Sequence, residues 1–130
     1  MVNISSVLAG GGAGQIAYAS AKAGVLGMTR TLAKEWGRMK VNVNAVAFGF
    51  IDTRLTRVEP GAQLGTVVVD GRELPTGLRE GGLDALRQSI PLGRSGSPEE
   101  AAAAVYLLCI PESDYVSGQT LVCGGGYGNI

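Results

Sequence analysis

The run Val41-Asn42-Val43-Asn44-Ala45-Val46-Ala47 does most to limit what this chain can fold into. It is β-branched and mostly apolar along its length, which is the composition of a strand buried in a parallel sheet with both faces covered. A parallel neighbour must be reached by a crossover, usually a helix, and the preceding residues offer both pieces. Val2 to Ser6 reads as a short apolar strand. Ile16 to about Trp36 reads as a helix, with Ala17, Ala21 and Gly24 on one side and Val25, Met28, Leu32 and Trp36 in apolar spacing. Strand, helix and strand in that order predict an α/β fold built on a parallel sheet. The small residues of the helix let another helix approach closely, or serve packing on the chain's own sheet. Both can hold on different faces.

Further along, Thr66-Val67-Val68-Val69-Asp70-Gly71-Arg72-Glu73-Leu74 carries the Asp-Gly pair of a two-residue hairpin. The rest of Thr56 to Leu86 is loop-rich. Ser97-Pro98-Glu99-Glu100 is a helix start, with Ser97 as cap, Pro98 in the first position and Glu100 reaching back. That helix is expected to run to about Cys109 and to stop before Pro111. The 130 residues suit one domain, 1–130, with an insertion at about 54–90.

Composition removes several chemistries. Zero formal net charge without a basic run argues against a nucleic-acid surface. The absence of histidine excludes a Ser-His-Asp triad and a histidine-ligated metal within these residues. Cys109 and Cys123 form no Cys-x-x-Cys motif and are expected to pack as small apolar side chains. The first residues are too short and too polar for a signal peptide, and no apolar stretch reaches the roughly 20 residues of a membrane span. The expected setting is cytoplasmic. The glycine run Gly10 to Gly14 lacks the lysine or spaced fingerprint of a phosphate cradle, and reads as an active-site loop.

Tyr18 and Lys22 stand four residues apart, on one face of the predicted helix, and Ser5-Ser6 closes the strand a dozen residues upstream. An ammonium beside a tyrosine favours the phenolate. This matters because an ordinary tyrosine, with a pKa of about 10, donates protons poorly near neutrality. Lowering it by roughly three units takes about 4 kcal/mol of preferential stabilisation of the anion. A phenol tuned in this way can give a proton to a carbonyl oxygen, or take one from an alcohol, with Ser6 holding the same oxygen. The spacing alone is equally met by an exposed helix pair.

The surrounding residues are more specific. Val2-Asn3-Ile4-Ser5-Ser6, Ala19-Ser20-Ala21-Lys22-Ala23-Gly24 and the segment from Asn42 to Thr53 together resemble the short-chain dehydrogenase/reductase family. Members of the 3-oxoacyl-[acyl-carrier-protein] reductase type are the most similar, and the resemblance runs from Val2 to about Tyr127. It implies the C-terminal part of a doubly wound, Rossmann-like parallel sheet, without the family's N-terminal dinucleotide-binding unit. It also implies an NAD(P)-dependent oxidoreductase moving hydride between nicotinamide and a carbonyl or secondary alcohol. A 3-oxoacyl thioester is one such substrate. Ser6, Tyr18 and Lys22 would be catalytic, with the cationic nicotinamide adding to the effect of Lys22 on the phenol.

Tyr18, Lys22, Gly49, Ile51 and Thr53 would hold NAD or NADP, Ile51 through its backbone N–H and Thr53 through its hydroxyl. A helix N-cap is the other reading of Thr53. Phe48 stands where the family usually has proline. The family's serine stands thirteen residues before the tyrosine. Ser5 meets that count and Ser6 is one short, but a deletion in the glycine loop absorbs the difference, which favours Ser6. Arg54, Arg57, Arg72 and Arg79 would meet an anionic substrate arm or simply solvent. The resemblance further implies a homo-oligomer, dimer or tetramer, with Ser117 to Gly126 as the last strand and a glycine-rich tail at a subunit contact. A truncated reductase, a half that complements a separate N-terminal half, and a non-catalytic scaffold or oligomerisation module all fit the missing unit. The first is favoured.

Overall fold

The computed structural model of the chain describes residues 1–53, 66–75 and 82–128. Strands β1 (Val2–Ser6), β2 (Asn44–Phe48) and β5 (Thr120–Cys123) form one parallel sheet in the order β1-β2-β5. Helix α1 (Ile16–Trp36) makes the crossover from β1 to β2. Strands β3 (Thr66–Val69) and β4 (Arg72–Pro75) form a separate antiparallel hairpin, and helices α2 (Gly82–Ser89) and α3 (Pro98–Tyr106) precede β5. The buried core centres on β2 and the residue before it, where Val43, Ala45, Val46 and Ala47 are fully inaccessible.

β2 begins three residues later than its composition predicts. The backbone of Val41 to Val43 is diverted before it can enter the ladder: the N-terminal ammonium donates to the Asn42 carbonyl at 2.7 Å, and the Val43 carbonyl accepts from the Gly118 N–H at 2.8 Å. The two asparagines of the run explain themselves here. Asn42 Nδ2 donates to the Asp114 carbonyl at 2.7 Å. Asn44, 1% exposed, bonds the Val116 carbonyl with its Nδ2 at 2.7 Å and the Gln119 N–H with its Oδ1 at 3.0 Å. A buried amide is stable only when its donors and acceptors are met, and these bonds fasten β2 to the loop that delivers β5.

The hairpin turn is the expected one. Asp70 and Gly71 both have positive φ, 50° and 73°, the type I′ geometry that an Asp-Gly pair supports. α3 opens with a complete capping box: the Glu100 N–H donates to Ser97 Oγ at 3.2 Å, and the Ser97 N–H donates to Glu100 Oε2 at 2.8 Å. The helix ends at Tyr106, earlier than the predicted stop, because Leu108 and Cys109 donate to carbonyls three residues back in tighter turns. Cys109 is exposed, so it does not pack in the core as expected. Helix α2 is absent from the sequence expectation for a loop-rich segment. Arg54, Arg57 and Arg79 lie outside the described residues, and Arg72 is exposed.

Candidate active site

In a parallel sheet every strand ends on the same side, so the residues that close β1, β2 and β5 meet along one rim. Open α/β sheets bind their ligands at the carboxyl ends of the strands. Ser6 closes β1 and lies opposite Phe48, which closes β2 and in turn lies opposite Cys123, which closes β5. Gly49 follows directly and donates its N–H to the Cys123 carbonyl at 2.9 Å. A Cβ at Gly49 would stand 2.7 Å from Gly124 Cα, so only glycine lets the two backbones pass this closely.

Beyond Gly49 the chain makes an isolated parallel bridge between Ile51 and Gly96. The Gly96 N–H donates to the Phe50 carbonyl at 3.0 Å and the Asp52 N–H to the Gly96 carbonyl at 2.8 Å. The segment expected to face a nicotinamide is thereby tied to the residues leading into α3. Ile51 and Thr53 are both half-buried there.

Ser6 is 7% exposed, and its hydroxyl accepts the Leu8 N–H at 3.2 Å, capping a short 3-10 turn over Val7 to Gly10. Ser5 turns the other way. It is 2% exposed and donates to the Lys22 carbonyl inside α1 at 2.9 Å. The two serines therefore have different neighbours, and the one at the rim is Ser6. Tyr18 sits in the first turn of α1 with 44% of its surface exposed. Lys22 Nζ stands 5.7 Å from the centre of the Tyr18 ring and donates to the Ile4 carbonyl at 3.2 Å. The structure thus brings Tyr18 and Lys22 together as the four-residue spacing predicts, and sets α1 against β1, whose last residue is Ser6.

Two recesses flank this rim. One of about 180 Å³ is lined by Phe50, Ile51, Leu92, Cys123 and Gly125. Burial, and then the charge of Glu100, push the Cys123 thiol up, so it stays protonated and poorly nucleophilic. The other, about 510 Å³, lies at the start of α3 beside Asp52, Arg87, Arg94 and Ser97. Its arginines already have partners. Arg94 holds Glu100 through two bonds of 2.6 and 2.7 Å, and Arg87 meets Asp84 and Ser95, each at 3.4 Å. The Arg94 bonds hold the Glu100 carboxyl down at about 2. That recess is a structural corner of the fold.

Comparison with known proteins bears on the whole chain. A family model described as enoyl-(acyl carrier protein) reductase matches residues 1–128. The 3-oxoacyl-[acyl-carrier-protein] reductases of Thermotoga maritima and Pseudomonas aeruginosa are 43% and 46% identical over 97% of this chain. The chain spans 44% of the length of each of these two relatives. Among solved structures, a short chain dehydrogenase from Bacillus anthracis matches with a TM-score of 0.70 at 36% identity, over 96% of this chain and 41% of that one. A blue fluorescent protein from a metagenomic library, in complex with NADPH, matches with a TM-score of 0.75 at 29% identity, over 98% and 44%.

Proposed function

This chain belongs to the short-chain dehydrogenase/reductase family, and from that membership we propose that it carries the catalytic half of an NAD(P)-dependent oxidoreductase that reduces a carbonyl, with a 3-oxoacyl thioester as the favoured substrate. The observation that carries the reading is the pairing of Tyr18 with Lys22, 5.7 Å from ring centre to ammonium, on a helix packed against the strand that ends in Ser6.

Ser6 donates a hydrogen bond to the substrate oxygen, and Tyr18 gives its phenolic proton to the same oxygen. Reduced nicotinamide, when bound, supplies the hydride that forms the new C–H bond. The substrate oxygen would take the Tyr18 proton as the hydride arrives, so that the carbonyl would become a secondary alcohol, with reduced nicotinamide as the two-electron donor. Lys22 stabilises the negative charge left on the phenol oxygen. The residues available fit such a cofactor. Lys22 offers an ammonium for hydroxyl groups, and Gly49 lets the backbone after β2 pass close against Gly124 at the rim. Ile51 and Thr53 would face the cofactor from the segment tied to Gly96. NAD and NADP remain equal choices for these residues. Among the described residues no helix is long and apolar enough to cross a membrane, which is compatible with work in the cytoplasm. A homo-oligomer built through the exposed face of α1 completes the proposal.

The test is loss of reduced-nicotinamide absorbance when the purified chain is mixed with NADPH or NADH and a 3-oxoacyl thioester. Turnover is expected, and Tyr18→Phe should reduce it by about 10²- to 10⁴-fold, the span of a lost general acid. A folded chain that never consumes cofactor would instead indicate a scaffold or oligomerisation module.

A further inference from the structure

α1 buries remarkably little for its length. Among its 21 residues only Leu26 and Thr29 are buried, and Ile16, Tyr18 and Met28 stand 84%, 44% and 47% exposed. Apolar contact is non-directional, so so thin a seam cannot by itself set the height and rotation of a helix on a strand. Directional bonds do that here, in two places. Asn3 Nδ2 donates to Thr29 Oγ1 at 3.0 Å, and Thr29 Oγ1 donates to the Val25 carbonyl at 2.7 Å. Two helical turns earlier, Ser5 Oγ donates to the Lys22 carbonyl at 2.9 Å while Lys22 Nζ returns to the Ile4 carbonyl at 3.2 Å. One helical residue is thus held through its backbone and through the end of its side chain by adjacent residues of β1.

We propose that Ser5 is a positioning residue for the reaction: its buried hydroxyl, bonded to the Lys22 carbonyl, sets where α1 stands on β1 and hence where Tyr18 and Lys22 stand relative to Ser6. This rests on the function proposed above. The Ile4 carbonyl that Lys22 reaches is on the open side of the sheet. β1 pairs with β2 through the carbonyls of Met1, Asn3 and Ser5, and the register Ile4↔Val46 turns the carbonyl of Ile4 the other way. The ammonium can meet that outward carbonyl only while α1 keeps its height. A helix that slips by one residue moves 1.5 Å and turns about 100°, and a misplacement of roughly 1 Å at a reacting group can cost about 10²-fold in rate. Ser5→Ala leaves the Lys22 carbonyl with its bond along the helix and strands no buried donor, so the fold is kept while the direction is lost.

Two readouts test the inference, on the full chain and on Ser5→Ala, Ser5→Thr and Thr29→Val. In steady-state reduction, Ser5→Ala is expected to lower kcat about 10- to 100-fold with KM within about threefold. Ser5→Thr, which keeps the hydroxyl, should recover most of the loss, and Thr29→Val, at the distant tie, should cost less. Independently of turnover, the Lys22 ammonium nitrogen, read through its non-exchanging Hε protons, should give a resonance that is lost from its position in Ser5→Ala and kept in Ser5→Thr. If Ser5→Ala does not fold, Ser5→Cys, with a weaker donor of similar size, is read in its place. Retention of both kcat and the ammonium resonance in a folded Ser5→Ala would overturn the role. If the unaltered chain does not turn over, the proposed function falls, and the ammonium resonance alone still decides whether Ser5 places Lys22.

Discussion

α1 and α3 both lean on the same three-stranded sheet, yet they are fixed in opposite ways. α3 is determined almost entirely within a few residues: Ser97 and Glu100 cap each other, Pro98 begins the helix, and Arg94, six residues before Glu100, grips its carboxylate. α1 has no side-chain cap at Gln15, and its place is set by partners on β1, through Asn3–Thr29 and Ser5–Lys22. The contrast suits their tasks. A structural helix needs only to exist, whereas a helix proposed to carry a proton donor must stand at a particular height above the strand that ends in Ser6. Local caps start a helix, and only tertiary contacts can aim it.

The difference can be broken from either side. The largest effect is expected at Leu26, the one apolar side chain that α1 buries. Leu26→Ala should cost about 2–5 kcal/mol in denaturant unfolding, and hydrogen exchange should rise along α1 before α3. Equal loosening of both helices would mean that they are not held separately. Ser97→Ala should cost about 1 kcal/mol and leave the Tyr18–Lys22 geometry and any turnover unchanged, because the box acts within α3.

The smallest effect is expected from acid. The Glu100 carboxyl is held at about 2 by the Arg94 hydrogen bonds first and by the Ser97 N–H next, against an ordinary value of 4.5. A folded-state value below the unfolded one means that this contribution is complete above the unfolded pKa and is lost as pH falls from about 4.5 toward 2. Unfolding followed over that window should show a loss that is missing in Glu100→Gln. An unchanged acid slope in Glu100→Gln would show that the exposed pair adds nothing measurable.

Much of this architecture was legible in the residues because it is locally determined. The limits of β1 and α1, the Asp70-Gly71 turn and the Ser97 box follow from spacing, turn chemistry and capping. What was not legible depended on distant partners. The late start of β2 is caused by bonds to the Asn42 and Val43 carbonyls from Met1 and Gly118 and by the Val43 N–H donating to Ser117 Oγ, all with partners distant in sequence. The stop of α3 at Tyr106 depends on a change of hydrogen-bond step that composition does not announce. At the site, the meeting of Tyr18 and Lys22 is a property of helical spacing and was legible. The separate fates of Ser5 and Ser6 were not, because strand alternation says that they face opposite ways but not which of them faces α1. The buried Thr29 belonged to no chemical motif, and Ser5 was legible only as the alternative to Ser6, not as a tie to α1.

The proposed function requires that the carboxyl rim of this sheet, with Lys22 above it, receive a nicotinamide cofactor. Calorimetric titration of NADPH and NADH into the purified chain tests that requirement. Saturable binding of at least one of them, weakened by Lys22→Ala in a variant whose unfolding is unchanged, is the predicted result. A folded chain that takes up neither cofactor would contradict it.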